Sequence, residues 1–298
     1  MYLHPNSTPA VDSPVSTSSK VTVDSTGEIR ELSQKLISHL AKLKAVGVAF
    51  SGGVDSAVVA KAAYLACSDK SWAFIGISPS LAQGEEDYAS QTAAIIGIPL
   101  VRIETQESTV AGYIENSPRR CYFCKNELYT CISAQQAKYP FQIIVNGANA
   151  DDASDYRPGM QAATEHQVLS PLLELGITKL QVRQLAQLWN LPVWDKPASP
   201  CLASRIAYGI NVTPAGMNRV DQAERYLKQR LNIRNLRVRD LGQDQARIEV
   251  PRESIPLVTH PDHHQAIWTE LHRLGFKSIL LDLAGFRSGS LNELVELK

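Results

Sequence analysis

The feature that most constrains this chain is the short apolar run from Val46 to Phe50, which ends in Ser51-Gly52-Gly53-Val54-Asp55-Ser56 and passes directly into a helical pattern. A run of that length without a polar interruption belongs to a strand buried on both faces, as in a parallel sheet. The alternation continues downstream. The spacing predicts a helix from about Asp55 to Cys67, a strand over Trp72 to Ile77, a helix over Glu85 to Ile96 and a strand over Pro99 to Glu104. After an irregular stretch, Lys125 to Lys138 reads as a helix and Phe141 to Asn146 as a strand. Strands and helices in this order give an α/β fold built on a doubly wound parallel sheet. Ahead of it, Leu32, Leu36, Ile37, Leu40 and Leu43 recur at helical spacing, so a first helix is expected from Glu28 to about Leu43.

Residues 1–26 are rich in Ser, Thr, Pro and Val without any period, and cannot bury enough surface to offset their ordering entropy. They are expected to form a flexible tail. After a helix from Leu180 to Leu191, the Pro-rich connection from Pro192 to about Arg205 fits neither element. Thr213-Pro214 then has the form of an N-cap followed by proline in the first turn, opening a helix to about Leu231. Strands over Leu236 to Leu241 and Ala246 to Val250, a helix over His263 to Leu274 and a strand over Lys277 to Leu283 complete a smaller C-terminal α+β domain. The expected division is a tail at 1–26, a first domain at 27–207 and a small domain at 208–298.

Thirty Lys and Arg balance thirty Asp and Glu, so the chain has no net field with which to hold a polyanion, and a nucleic-acid partner is not expected. No apolar run is long enough to span a bilayer and no secretory pattern opens the sequence, so a cytoplasmic protein without a membrane partner is expected. Five cysteines, an odd number, argue against a disulfide framework in that compartment.

A strand, a Gly-Gly turn and a helix in succession converge backbone N–H groups and a helix N-terminus on one point, which is the outline of an anion site. Gly52 and Gly53 allow close approach, and the Ser51 and Ser56 hydroxyls can donate to phosphate oxygens. Asp55 beside a phosphate calls for a cation between them, Mg²⁺ being the natural choice. The Walker A lysine and the GxGxxG spacing are both missing. The hexapeptide resembles the PP-loop of enzymes that cleave ATP between its α and β phosphates and activate a substrate as an adenylate. A second segment, Asn146 to Asp152, lies at the carboxyl end of a strand, where Gly147 can admit an adenosine and Asp151 or Asp152 can hold a metal or an arginine; a polar turn is the alternative.

Cys121-Tyr122-Phe123-Cys124 follows Pro118-Arg119-Arg120, and Cys201 lies in a second irregular stretch. A CxxC pair alone is open to a redox, a zinc or a packing reading. Only a metal centre accounts for Cys201 as well, and three thiolates with one open position suit a reactive zinc site or an iron–sulfur cluster with one iron free. Cys67 and Cys131 fall on expected helices, where burial explains them.

Taken together, the SGGVDS, RRCYFCK, NGANADD, WDKPASPCLASRI and RVRDLGQDQARIEV segments resemble the LarE family, ATP-dependent sulfur transferases that build the nickel-pincer nucleotide of lactate racemase. The resemblance implies adenylation of a pyridinium mononucleotide carboxylate and its conversion to a thiocarboxylate. Some members give up a protein cysteine sulfur, and Cys201 lies where that donor stands. Others hold a [4Fe-4S] cluster on three cysteines, and Cys121, Cys124 and Cys201 place this chain with them. The same resemblance assigns Ser204 and Arg205, with Arg237, Arg239 or Arg247, to the substrate nucleotide and its phosphate, and Glu224 to the site, as a magnesium ligand or else on a solvated helix face. The implied cofactors are ATP, Mg²⁺ and the cluster; the partner is a small-molecule nucleotide, and a homo-oligomer is the expected assembly. Lys125 and Lys196 stand near the cysteine segments and can balance charge there. A tRNA thiolation enzyme and a nucleotide-binding sensor of iron or redox state are the rival readings.

Overall fold

The structure is a computed structural model and describes residues 25–154, 158–287 and 289–291. Four strands, β1 (Val46–Ala49), β2 (Ser71–Ile77), β3 (Leu100–Glu104) and β4 (Ile143–Val145), form a parallel sheet in the order β3-β2-β1-β4. The fold is therefore α/β, as the alternation requires. Every residue of β1 is buried, because helices cover both faces of the sheet. The helix Val54–Cys67 is buried almost all round, with alanines at 57, 60, 62 and 63 that let the helices Ser25–Ala41 and Lys179–Leu188 pack closely on it.

β1 pairs with β2 on one side and β4 on the other, so the chain direction across the sheet reverses there. Open α/β sheets bind ligands at such a switch point, in the crevice beyond the strand ends. The loop after β1 and the loop after β4 meet in that crevice.

The first helix starts at Ser25, three residues earlier than expected, so the last two residues of the expected tail belong to it. The rest of that tail lies outside the described residues. A larger correction concerns the CxxC segment, expected as a loop before a helix from Lys125. The helix instead spans Arg120–Ser133, and both cysteines sit in its first turns. No side chain caps this helix. The buried Arg120 anchors its start through Asn116 Oδ1 and, at 3.0 Å, the carbonyl of Ala203.

In the C-terminal part, the helix Pro214–Leu231 begins as its sequence signal requires, with Thr213 Oγ1 accepting from Gly216 N at 3.0 Å. A second sheet, β5 (Arg237–Asp240), β6 (Gln245–Glu249) and β7 (Ser278–Leu281), pairs antiparallel and then parallel. Its core also takes in Tyr113, Leu202, Ala203 and Ile206 from the preceding chain. Asn116 Nδ2 donates to the carbonyls of Ile206, Ala207 and Ile210 at 3.2, 2.8 and 3.0 Å, fastening the stretch before the CxxC helix to the stretch after Cys201. No helix among the described residues is long and apolar enough to cross a membrane.

Candidate active site

At the switch point, Gly52 has φ +69° and a Cβ there would lie 2.8 Å from Ala89 Cβ, so only glycine fits. Gly147 is required for a different reason, since its Cβ would stand 2.7 Å from Ser56 N. The second loop thus rests directly on the first. Ser56 Oγ lies 3.2 Å from Ser51 Oγ and donates to Gly53 O at 3.0 Å, closing the loop on itself. Gly53 caps the helix without a side-chain bond, which leaves the N-terminal N–H groups directed at the crevice.

Asp55 is held by Asn149 Nδ2, 3.0 Å from Oδ1, and by the ammonium of Lys179 against Oδ2. Lys179 opens its own helix, where its backbone N–H donates to Asp151 at 2.9 Å. The sequence does not bring this lysine to notice, because it lies 124 residues from Asp55. Lys196 reaches the loop as well, donating to Gly52 O at 3.3 Å and pairing with Glu85 at 2.8 Å, its ammonium 3.9 Å from the Tyr88 ring centroid. It is a tether for the Pro-rich connection rather than a solvated lysine.

Nine residues beyond Lys196, the same connection enters a cluster of buried arginines. Arg205, 1% exposed, places its fork on Glu224 at 2.9 and 3.1 Å, and its Nη1 also meets Ser204 Oγ at 3.1 Å. Arg239 donates to Glu249 at 3.0 Å and to Ser204 O at 3.0 Å. Arg237 donates only to carbonyls among the described residues, those of Leu236 and Ala198, both at 2.7 Å, and lies over the Phe286 ring. Ser204, Arg205, Arg237 and Arg239 therefore come together, while Arg247 pairs with Glu249 at 2.8 Å from the next strand.

The charges there do not cancel. Arg205, Arg237 and Arg239 are buried against Glu224 and Glu249, three cations to two anions. Burial, followed by the repulsion of Arg205, pushes Arg237 down to about 10. A bound phosphate would relieve this excess, since guanidinium groups match its geometry.

Glu224 is 2% exposed, so the solvated helix face is excluded. Burial alone would raise its pKa, but Arg205 outweighs burial and holds the carboxyl below the usual range. Both oxygens are engaged by the guanidinium, and a magnesium ion at Glu224 would have to displace that pair. Truncating one member of a buried pair strands the other charge, so Glu224→Ala is expected to cost about 3–5 kcal/mol. The urea midpoint measures this, and an unchanged midpoint would show that the pair contributes nothing.

The CxxC helix puts Cys121 and Cys124 at i and i+3 on one side, and Cys124 packs against the same core as Cys201. Cys121 is exposed, and Cys124 and Cys201 are half-buried against the second core. Burial and then the neighbouring Cys201 push Cys124 up to about 12. Arg120 feels Cys201 and Cys121 strongly enough that its pKa rises although burial alone would lower it, and Lys125 behaves in the same way beside Tyr129 and the three thiols. Among the described residues no three His, Cys, Asp or Glu side chains converge on the position of a single metal ion. A cluster has other requirements, because each thiolate binds its own iron and the sulfurs stand further apart than around one tetrahedral ion with Zn–S bonds of about 2.3 Å. Three thiols within electrostatic reach of one another, with two cations beside them, fit such an anionic group in donor chemistry. Cys67 lies apart, its thiol directed to Leu40 O at 3.7 Å, and Cys131 donates to Glu127 at 3.4 Å.

No family model matches the chain. It is 41% identical over 262 residues to an uncharacterized protein of Synechocystis sp., covering 88% of this chain and 97% of the relative. It is 34% identical over 266 residues, 87% of this chain and 92% of the relative, to the pyridinium-3,5-bisthiocarboxylic acid mononucleotide synthase of Lactiplantibacillus plantarum. An uncharacterized protein of Methanocaldococcus jannaschii is 24% identical over 247 residues, 83% and 92% of the two chains. With a third of its residues shared along nearly the full length of a named relative, this chain belongs to the LarE family of pyridinium-3,5-bisthiocarboxylic acid mononucleotide synthases.

Proposed function

We propose that this chain is an ATP-dependent sulfur transferase that adenylates a carboxylate of a pyridinium mononucleotide and converts it to a thiocarboxylate for nickel-pincer cofactor synthesis. One observation carries the reading. The connection from Lys196 to Arg205 is tied at one end to the phosphate loop, at the other to the arginine cluster, and carries Cys201 between them.

In this reading ATP lies on Ser51, Gly52, Gly53 and Ser56 with its adenosine beside Gly147. Asp55 would hold a Mg²⁺ ion, which when bound supplies charge neutralisation to the phosphates. Lys179, placed beside the loop by Asp55, meets the departing pyrophosphate. Arg237, supported by Ser204, Arg205 and Arg239, holds the phosphate of the substrate nucleotide and so fixes its carboxylate for attack on the α phosphorus. Pyrophosphate leaves, and charge stabilisation rather than proton transfer lowers the barrier. Sulfur then attacks the acyl carbon and AMP departs. Cys121, Cys124 and Cys201 would hold a [4Fe-4S] cluster, which when bound supplies an open iron for sulfide.

With anaerobically purified protein, Mg²⁺, ATP, sulfide and a pyridinium carboxylic acid mononucleotide, AMP and pyrophosphate are expected in equal amounts with the thiocarboxylate. Formation of ADP and phosphate instead would overturn the reading.

A further inference from the structure

Beyond β7 the chain turns back onto the arginine cluster. Asp282 N donates to Ile248 O at 2.9 Å, and Gly285, at φ +78°, makes the reversal that lets Phe286 N donate to Val250 O at 2.8 Å, past the end of β6. A Cβ at 285 would stand 3.2 Å from both Arg252 N and Val250 O. Two residues of this return then meet two different arginines. The Phe286 ring centroid lies 5.2 Å from the Arg237 guanidinium carbon. Ser290, 1% exposed, accepts from Arg239 Nη2 at 3.2 Å and donates to Glu249 Oε1 at 2.7 Å.

Neither contact is needed to complete the sheet, whose ladder runs from β5 to β7 without them. They complete the arginines instead. Glu249 is fully buried and shared, its Oε2 accepting from Arg239 Nε at 3.0 Å and its Oε1 from Arg247 Nη2 at 2.8 Å. A carboxylate between two guanidinium groups can turn toward either. The Ser290 hydroxyl, bonded to Oε1 and to Arg239 Nη2 together, fixes the carboxylate and the fork in one arrangement, with Arg239 Nη1 on Ser204 O at 3.0 Å. Arg237 has a different need. A guanidinium carries five donors, and among the described residues Arg237 commits two of them, to the carbonyls of Leu236 and Ala198. Phe286 on its face fixes the plane in which the uncommitted donors lie.

We propose that Phe286 and Ser290 are positioning residues that hold Arg237 and Arg239 in the orientation that receives the substrate phosphate, and so make the enzyme prefer a mononucleotide to the nucleoside lacking that phosphate. The inference rests on the sulfur-transferase reading, in which this cluster is the phosphate subsite. Each residue acts through an arginine and touches no reacting atom. A phosphate gains its second bond from a guanidinium fork without further cost only when the fork is already aligned. Loss of either residue should therefore weaken the hold on the phosphate and leave the ATP loop, at the far end of the Pro-rich connection, unaffected.

Substrate-dependent pyrophosphate exchange by the full chain, with a pyridinium carboxylic acid mononucleotide and with its nucleoside, tests this. Ser290→Ala should raise KM for the mononucleotide about tenfold, a usual size for a lost hydrogen bond to a charged group. In the same variant kcat, KM for ATP and KM for the nucleoside should stay within about twofold of the wild type, since only binding of the phosphate is lost. Phe286→Leu, at a half-buried position, reads the same subsite should Ser290→Ala disturb the fold, and should raise KM for the mononucleotide about threefold, as expected for one cation–π contact. A KM that rises equally for mononucleotide and nucleoside would overturn the proposal and leave both residues as packing. So would an unchanged KM in both variants, or a loss confined to kcat. If the wild type shows no substrate-dependent exchange, the sulfur-transferase reading fails, and calorimetric titration of the two compounds decides the proposal by itself. A wild-type preference for the mononucleotide that falls in Ser290→Ala supports it, and no preference overturns it.

Discussion

Asp55→Ala is expected to reduce substrate-dependent pyrophosphate release by at least about a hundredfold, the usual scale for removing a group that stabilises transition-state charge. The fold should survive. Asp55 is partly exposed and its pair with Lys179 is screened, so the stability change should stay within about 1 kcal/mol. Two effects combine in the activity. In the proposed reading the loop then lacks the carboxylate that would hold Mg²⁺, and Lys179 lacks the group that places it beside the loop. Lys179→Met separates them, since it should weaken release while leaving the magnesium dependence as in the wild type. Pyrophosphate exchange at saturating substrate and varied Mg²⁺ distinguishes the two variants. Normal release from Asp55→Ala would remove the loop from the chemistry altogether.

The contrast between Asp55 and Lys179 shows what this sequence makes legible. Local pattern carried the strands, the loop and the Thr213 cap, because each depends on neighbours within a few residues. The helix Arg120–Ser133 escaped because it has no capping side chain, and Asn116 and the distant Ala203 carbonyl fix its start. Arg205 illustrates a different limit. Its residue type suggested phosphate, but its fork is spent on Glu224, and the arginine of the cluster that has no carboxylate partner among the described residues is Arg237. Which of several arginines has spare charge depends on pairing across the fold, for which linear spacing gives no signal.

A large loss in the second step is expected from the three cysteines. Replacing Cys121, Cys124 or Cys201 by serine should lower iron content and thiocarboxylate formation at least about tenfold, since a hydroxyl is a hard and weakly acidic substitute for a soft thiolate. Pyrophosphate release should largely persist, because the phosphate loop is a separate element joined to this region through Lys196 and the Pro-rich connection. Cys67→Ala and Cys131→Ala should keep both iron and activity. Cys67 is buried with its thiol on Leu40 O, and Cys131, pushed up to about 11 by burial and its hydrogen bond to Glu127, is held as a neutral thiol. The helical placement of the CxxC pair sharpens the test, since Cys121 and Cys124 occupy one side of the first turns while Cys131 lies two turns further on and already has a partner. Iron and sulfide assays, with a visible spectrum taken anaerobically, decide the matter. Stoichiometric zinc without iron, or a Cys131 as necessary for iron as Cys121, would exclude a three-cysteine cluster with an open iron. The sulfur donor would then have to be sought elsewhere, first at Cys201 itself.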